Sequence, residues 1–371
     1  MESTLRAPSI DPGAYLSADT LEEELHRIWP SAWHLLALTR DLPNDKDYLR
    51  KRVARTDLVL HRLGERIIAY ANVCPHRFST LVDQPSGNAP LQCPYHLWSF
   101  DTDGYPSAVP HRQGIPLAEF TQGARLSTWQ VALVGEFIFV SKQPIQSCED
   151  YLGALGADLA RMSRALGNEL PPVTLDVAAN WKIIAQNTVE LQHAYSVHPG
   201  TFAALSSKPM RIDSDLPLAN SISYVMRLKP ERFEGRLNAR LKSLLSRVEQ
   251  PFPDGYRHHL IFPATTLGYV DNRMLTIIDY QPLTAGACRM SARMFEFVVP
   301  DLSPLEASIL ASIRPLDHQF SLQVFEEDGG ICEAVQRGLH NRPADMPGVL
   351  MPVEHMVARF QDMYQQWMDY K

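Results

Sequence analysis

Cys74-Pro-His76 and, after sixteen further residues, Cys93-Pro-Tyr-His96 offer two thiols and two imidazoles in the pattern C-x-H…C-x-x-H. That donor set fits a [2Fe–2S] cluster of the Rieske type, in which two thiolates hold one iron and two neutral imidazoles hold the other. Imidazole ligation raises the reduction potential well above that of an all-thiolate cluster, so such a centre accepts electrons readily. Structural zinc is the competing use of four Cys and His ligands. Zinc sites more often pair Cys with Cys and His with His, whereas each half here supplies one of each. The proline after each cysteine stiffens the loop that carries it.

A second set of donors follows a hundred residues on. Glu190 and His193 stand three apart, neighbours on one face if the chain is helical there. His198 would lie about 140° around that helix from His193. Pro199 and Gly200 argue that the helix breaks, which lets the chain swing His198 back toward His193. Two histidines and one carboxylate with open positions make the facial triad of mononuclear non-haem Fe(II) sites. A structural histidine pair is the competing reading of the segment alone.

These groups need elements to hold them. Thr20 as N-cap and apolar residues at Leu21, Leu25, Ile28 and Trp29 predict a helix over 20–29. From about 33 to 142 the pattern is one of short strands, with a hairpin over 58–63 and 67–71 and a strand pair over 131–140 around Gly135. The Cys/His loops fall between these strands. Helical periodicity returns over 149–167, and Pro171-Pro172 marks a boundary. A strand over 173–177 then leads to a helix over 180–196. Several β-rich runs appear between 218 and 300, including 220–228, 274–280 and 288–299, and amphipathic helices are expected over 305–328 and 353–370. The fold class that results is α+β: a small all-β domain that grips the cluster, and a larger domain with an antiparallel sheet covered by helices. The expected boundaries are an N-terminal helical segment (1–34) packing on the larger domain, the cluster domain (35–145) and the larger domain (146–371).

The chain's 371 residues suffice for two domains, each with its own core. A net charge of −7, with basic residues dispersed, argues against nucleic acid or an anionic membrane as partner. No apolar run reaches the ~18 residues of a membrane span. Met1-Glu-Ser-Thr-Leu-Arg has neither the basic nor the apolar region of a signal peptide, so the expected location is the cytoplasm. Cys148, Cys288 and Cys332 are odd in number and far apart, and read as free buried thiols rather than a disulfide framework. No G-x-G-x-x-G follows a strand, so the chain shows no nucleotide site of its own. A cluster here would draw electrons from an external donor.

The segments 72–77 (Asn-Val-Cys-Pro-His-Arg) and 93–100 (Cys-Pro-Tyr-His-Leu-Trp-Ser-Phe), followed by Asp103-Gly104, resemble the Rieske domain of ring-hydroxylating-type oxygenases. Phe78 departs from the usual Arg-Gly after the first His. The run from Asn180-Trp-Lys to His198 resembles the mononuclear-iron motif of Rieske non-haem iron oxygenase α-subunits. The resemblance implies that His193 and His198 bind iron. It also implies that Glu190 bridges a cluster histidine of the neighbouring subunit and an iron-ligating histidine. Glu rather than Asp at that position is similar to the carnitine- and glycine-betaine-type branch. The run 324–339 (Val-Phe-Glu-Glu-Asp-Gly-Gly-Ile-Cys-Glu-Ala-Val-Gln-Arg-Gly-Leu) resembles that branch too and assigns the third ligand to Asp328, with Glu326, Glu327 and Glu333 as rivals. Without the upstream motifs this acidic run would read as a solvated helix face.

The resemblance implies a terminal oxygenase that uses O2 and electrons from a separate NAD(P)H-dependent flavin or iron–sulfur reductase, directly or through a ferredoxin. In that family the two metal sites of one chain lie too far apart for fast transfer. A head-to-tail homotrimer is therefore expected, with His96, Glu190 and His193 as the wire between subunits. The expected reaction is monooxygenation of an amine or quaternary ammonium compound, with demethylation or C–N cleavage. An aromatic substrate is the alternative, and a bare electron carrier a third reading that needs no second iron. A bound cation would want aromatic rings around it, and Tyr195, Phe202, Phe262 and Tyr269 are the candidates, each also readable as core.

Overall fold

The computed structural model describes residues 5–121, 123–202, 214–226, 241, 243–248, 255–270 and 272–370. The chain divides into two compact units. One comprises Met1–Ile28, Leu152–Leu155 and Arg164–Lys371, the other Trp29–Tyr151 and Gly156–Ser163.

The smaller unit is built on seven antiparallel strands. Their order across the sheet is His34–Leu38, Phe137–Ser141, Thr128–Val134, Arg66–Ala71, Thr56–Leu63, Asp47–Val53 and Ser86–Asn88. Both hairpins expected from the sequence form. Leu63 pairs with Arg66 around the turn at Gly64, and Val134 with Phe137 around Gly135. Both glycines have positive φ. At Gly135 a side chain would also strike Ala160 and Ser163, with contacts under 3 Å. A cluster of buried side chains, among them Tyr70, Leu91, Trp98 and Phe100, includes Cys74 and Cys93. The cluster loops therefore stand on this core.

The larger unit holds an antiparallel sheet of eight strands among the described residues. Its order is Leu166–Glu169, Ala287–Phe297, Met274–Thr284, Thr265–Val270, Tyr256–Ile261, Ser221–Met226 and Ser214–Leu218, with Val173–Val177 also pairing to Ala287–Phe297. Strands 256–261 and 265–270 fall in the β-rich stretch 218–300 without having been singled out there, and residues 227 and 228 of the run expected over 220–228 lie outside the described residues. Side chains alternate across a strand. Tyr224 and Met226, Tyr256 and His258, and Thr266, Gly268 and Val270 thus share one face, opposite a helix over Pro304–Asn341.

Several helix boundaries differ from those read in the sequence. The first helix is Ala18–Arg27, because Ser17 and not Thr20 caps it: Ser17 Oγ accepts from Thr20 N at 3.1 Å. The stretch 149–167 is two helices, Cys148–Leu152 and Leu155–Arg164, broken at Gly153 with φ 53°. The helix expected over 305–328 runs on to Asn341, straight through Gly329-Gly330. Its start is firm, since Ser303 and Glu306 form a reciprocal capping box. Two glycines in a helix interior cost roughly 1 kcal/mol each, too little to end a helix packed along one face. The last helix is His355–Asp369. No helix among the described residues is long and apolar enough to cross a membrane.

A buried polar knot fastens the N-terminal helix to the start of the Trp181–Thr188 helix. Glu24 and Lys182 are fully buried and pair at 2.5 Å. Trp181 Nε1 donates to Glu24 Oε2 at 2.7 Å, and Tyr364 donates to Oε1 at 2.8 Å. Burial pulls the Lys182 ammonium down, and Glu24 opposes it. Asn180 caps the helix through Oδ1 and donates from Nδ2 to the carbonyls of Tyr15 and Ala285. The Asn-Trp-Lys motif is thus an anchor for the residues that follow it.

Candidate metal centres and substrate chamber

In the smaller unit the two Cys/His loops are near copies of one another. In the first, Phe78 N donates to Cys74 O (2.9 Å) and Cys74 N to Ser79 O (2.8 Å). In the second, Leu97 N donates to Cys93 O (3.0 Å) and Cys93 N to Trp98 O (2.8 Å). Each loop turns on a left-handed residue, Phe78 at φ 62° and Leu97 at φ 58°. Both cysteines are buried. The His76 and His96 rings lie 4.8 Å apart, and His76 stacks on Trp98 at 4.4 Å. Asn72 ties the first loop down: its Oδ1 accepts from Leu81 N and Val82 N, and its Nδ2 donates to Asp57 and Val82 O.

These residues fit the cluster. Burial pushes the Cys74 thiol up, and Cys93 beside it adds to that. Two buried thiols side by side become thiolates only against strong positive charge. His96 Nδ1 is buried and has no hydrogen-bond partner among the described residues, as expected of an atom that ligates.

In the larger unit Glu190 and His193 are not on a regular helix. The helix from Trp181 ends at Thr188, and a one-turn helix, Ala194–Val197, begins after His193. The break therefore comes at Val189–His193 as well as at Pro199. Glu190 bridges the gap: its carboxylate accepts from His193 N at 3.0 Å and from His193 Nδ1. His198 Nδ1 donates to Glu327 at 2.7 Å. The Nε2 atoms of both rings face the same oxygen, Asp328 Oδ1, at 3.3 Å from His193 and 3.1 Å from His198. One donor atom from each of the three residues lies within 4.8 Å of the others.

This convergence fits a single divalent metal. A carboxylate on each Nδ1 fixes the tautomer that leaves Nε2 free to ligate, the usual support of a metal-binding histidine. The electrostatics agree. Burial opposes a charge on His193, but hydrogen bonds to Asp328 and Glu190 lift it to about 9. Asp328 is also buried, yet His193 and His198 hold it down to about 2.

The sequence offers Glu327 only as a rival for the third ligand position. It is instead the carboxylate behind His198, steadied by Thr201 Oγ1 (2.9 Å) and Gln323 Nε2 (2.8 Å). The signal was its place beside Asp328, where the next residue on a helix reaches a neighbouring point of the same site. Asn187, which carried no expected role, donates to Asp328 Oδ1 at 2.7 Å. Glu326 is exposed, and Glu333 accepts from Ala178 N, away from the triad.

A chamber of about 420 Å³ opens beside the triad, between one face of the sheet and the Pro304–Asn341 helix. Rings run along it from His198. His198 meets Phe202 at 5.4 Å, Phe202 meets Phe320 at 5.7 Å and Tyr256 at 5.9 Å, and Tyr256 meets Tyr224 at 6.4 Å. Of the four aromatic candidates from the sequence only Phe202 lines this chamber. Phe262 and Tyr269 are core residues, packed on Phe360 and Phe297, and Tyr195 is partly exposed. Alternation along the strand expected over 220–228 is the signal that could have found Tyr224, whereas Tyr256 lies on a strand that the sequence reading did not single out.

Comparison with known proteins supplies the context. Residues 168–370 match the family described as Ring hydroxylating alpha subunit (catalytic domain), and residues 32–121 match the Rieske [2Fe-2S] domain. The chain is 28% identical over 367 residues to the carnitine monooxygenase oxygenase subunit of Escherichia coli K12, covering 95% of this chain and 91% of that protein. It superposes on a quaternary ammonium Rieske monooxygenase, studied for carnitine oxidation by gut microbiota and inter-subunit electron transfer. The TM-score is 0.74 at 22% identity over 99% of this chain and 96% of the other. It also superposes on naphthalene 1,2-dioxygenase from Rhodococcus sp. bound to indole, with TM-score 0.73 at 18% identity over 97% and 93%.

Proposed function

The chain belongs to the ring-hydroxylating oxygenase alpha-subunit family, and on that premise we propose that it hydroxylates a small amine or quaternary ammonium compound. It is a Rieske-type oxygenase subunit, and such subunits work with a separate reductase. The observation that carries the substrate reading is the run of aromatic rings from His198 to Tyr224 along the chamber. Ring faces attract an alkylammonium group within about 6 Å. The carnitine monooxygenase relative supports the same class.

Bound at their sites, a [2Fe–2S] cluster and an iron(II) ion supply one-electron transfer and activation of O2. Cys74, His76, Cys93 and His96 would hold the first, and His193, His198 and Asp328 the second. Glu190 and Glu327 keep the two imidazoles oriented through their Nδ1 protons. The apolar wall excludes water, and its rings position the carbon to be oxidised. Hydroxylation next to nitrogen leads to demethylation or C–N cleavage.

We place the protein in the cytoplasm as a homotrimer, reduced by an NAD(P)H-dependent flavin or iron–sulfur protein, directly or through a ferredoxin. Glu190 would hydrogen-bond both His193 and His96 of the partner subunit. The relative studied for inter-subunit electron transfer supports that arrangement. Aromatic oxidation is the second reading, favoured by aliphatic walls such as Val270, Ile278 and Met290. A bare electron carrier has no use for the triad.

The test is a single turnover of the chemically reduced holoprotein under 18O2. A trimethylammonium substrate should release formaldehyde, or give a hydroxylated product that carries one labelled oxygen. Label in an aromatic product and none with any amine would reverse the two readings.

A further inference from the structure

Arg273 is the one guanidinium or ammonium group among the described residues lining the chamber. It sits in the turn between the strands Thr265–Val270 and Met274–Thr284, where its backbone N–H donates to Val270 O at 2.8 Å. Its side chain is 33% exposed. Asp317, on the Pro304–Asn341 helix, accepts from Nε at 2.8 Å and pairs with Nη2. This two-point clamp fixes the plane of the guanidinium. A guanidinium has five donors, and Nη1 has no partner among the described residues.

The carboxylates of the chamber are in the opposite condition. Glu190 is taken by His193, Asp328 by both imidazoles and Asn187, and Asp317 by Arg273. Close by, Arg314 and Glu296 pair at 2.7 Å, which leaves the neighbourhood balanced and not repulsive to an anion. Two polar groups of the chamber are thus unclaimed among the described residues, the buried Nε2 of His258 and Nη1 of Arg273, and only the second is a donor that carries a permanent positive charge.

We propose that Arg273, aimed by Asp317, anchors a carboxylate of the substrate and is the residue that selects for one. The substrate then carries its amine or quaternary ammonium group among the aromatic rings and an acid group at the Arg273 end. This rests on the reading of the chamber as the site of an amine or quaternary ammonium substrate.

A matched pair of probes tests it: 4-(trimethylammonio)butanoate and its primary amide, which differ in charge and hardly in shape. Calorimetry on the anaerobic holoprotein should give roughly 10–100-fold tighter binding of the acid, the range of a charge-assisted hydrogen bond. In Arg273→Gln that ratio should fall to near one, with affinity for the amide within about twofold of wild type. Arg273→Lys, which keeps the charge but not the fork, should retain part of the preference. A merely fastening role for the Arg273–Asp317 pair would weaken both probes alike and leave the ratio unchanged, which overturns the proposal. Equal binding of acid and amide by wild type also overturns it, while the quaternary ammonium reading survives. Binding of neither probe, together with turnover of indole, removes that reading and this inference with it.

Discussion

The two candidate metal centres are built by opposite means. The cluster loops are local: the four donors lie within 23 residues, and backbone hydrogen bonds inside each loop set their shape. The candidate iron triad is assembled across 136 residues, from His193 to Asp328, and is held by side chains: Glu190, Glu327, Asn187, and behind them the Glu24–Lys182 knot. A site fixed by backbone tolerates change in its surroundings. A site fixed by side chains depends on a chain of contacts that starts in the N-terminal helix.

Asp328→Ala breaks that asymmetry most fully. It should lose the mononuclear iron and turnover while the visible Rieske spectrum stays. Unchanged iron stoichiometry would move the ligand elsewhere. Glu24→Gln strikes the base of the same chain of contacts. Leaving the buried Lys182 without its counter-charge should cost about 3–5 kcal/mol in urea unfolding of the larger unit. A loss under ~1 kcal/mol would mean that the knot does not hold the motif in place.

The unequal legibility of the two centres follows from the same difference. Cys74, His76, Cys93 and His96 could be read from spacing because their geometry is local. His193 and His198 could be paired, but the break that brings them together was expected only at Pro199. The earlier exit at Val189 has no proline or glycine to mark it, and Glu190 capping His193 makes it possible. Glu327 lay hidden for another reason: on an exposed-looking acidic run only the partner His198, 129 residues away, tells one carboxylate from its neighbours. The strands 256–261 and 265–270 were not singled out because polar Arg257, His258, His259, Thr265 and Thr266 and the central Gly268 blur the apolar/polar alternation that marks a half-buried strand. What makes them strands is pairing with neighbours on both sides.

Glu190→Gln sharpens the comparison at a single atom pair. Both metals should remain bound, but turnover should fall roughly 10–100-fold, the usual effect of removing a carboxylate behind a ligating histidine. Turnover near wild type would sink both its orienting and its bridging role. The smallest effect belongs to the local site. Phe78 is 79% exposed and carries a left-handed backbone at the position where it departs from the Arg-Gly of the pattern it resembles. Phe78→Gly should relieve about 1 kcal/mol, seen as a higher urea midpoint with the cluster spectrum unchanged. A lower midpoint would show that the loop keeps the ring for its contacts.

Iron and acid-labile sulfide per chain, measured with the visible spectrum on one preparation, test the central claim of two distinct centres most directly. The account predicts about three irons and two sulfides with a red-brown Rieske spectrum. Two irons and two sulfides that stay at two after incubation with Fe(II), or zinc without sulfide, would contradict it.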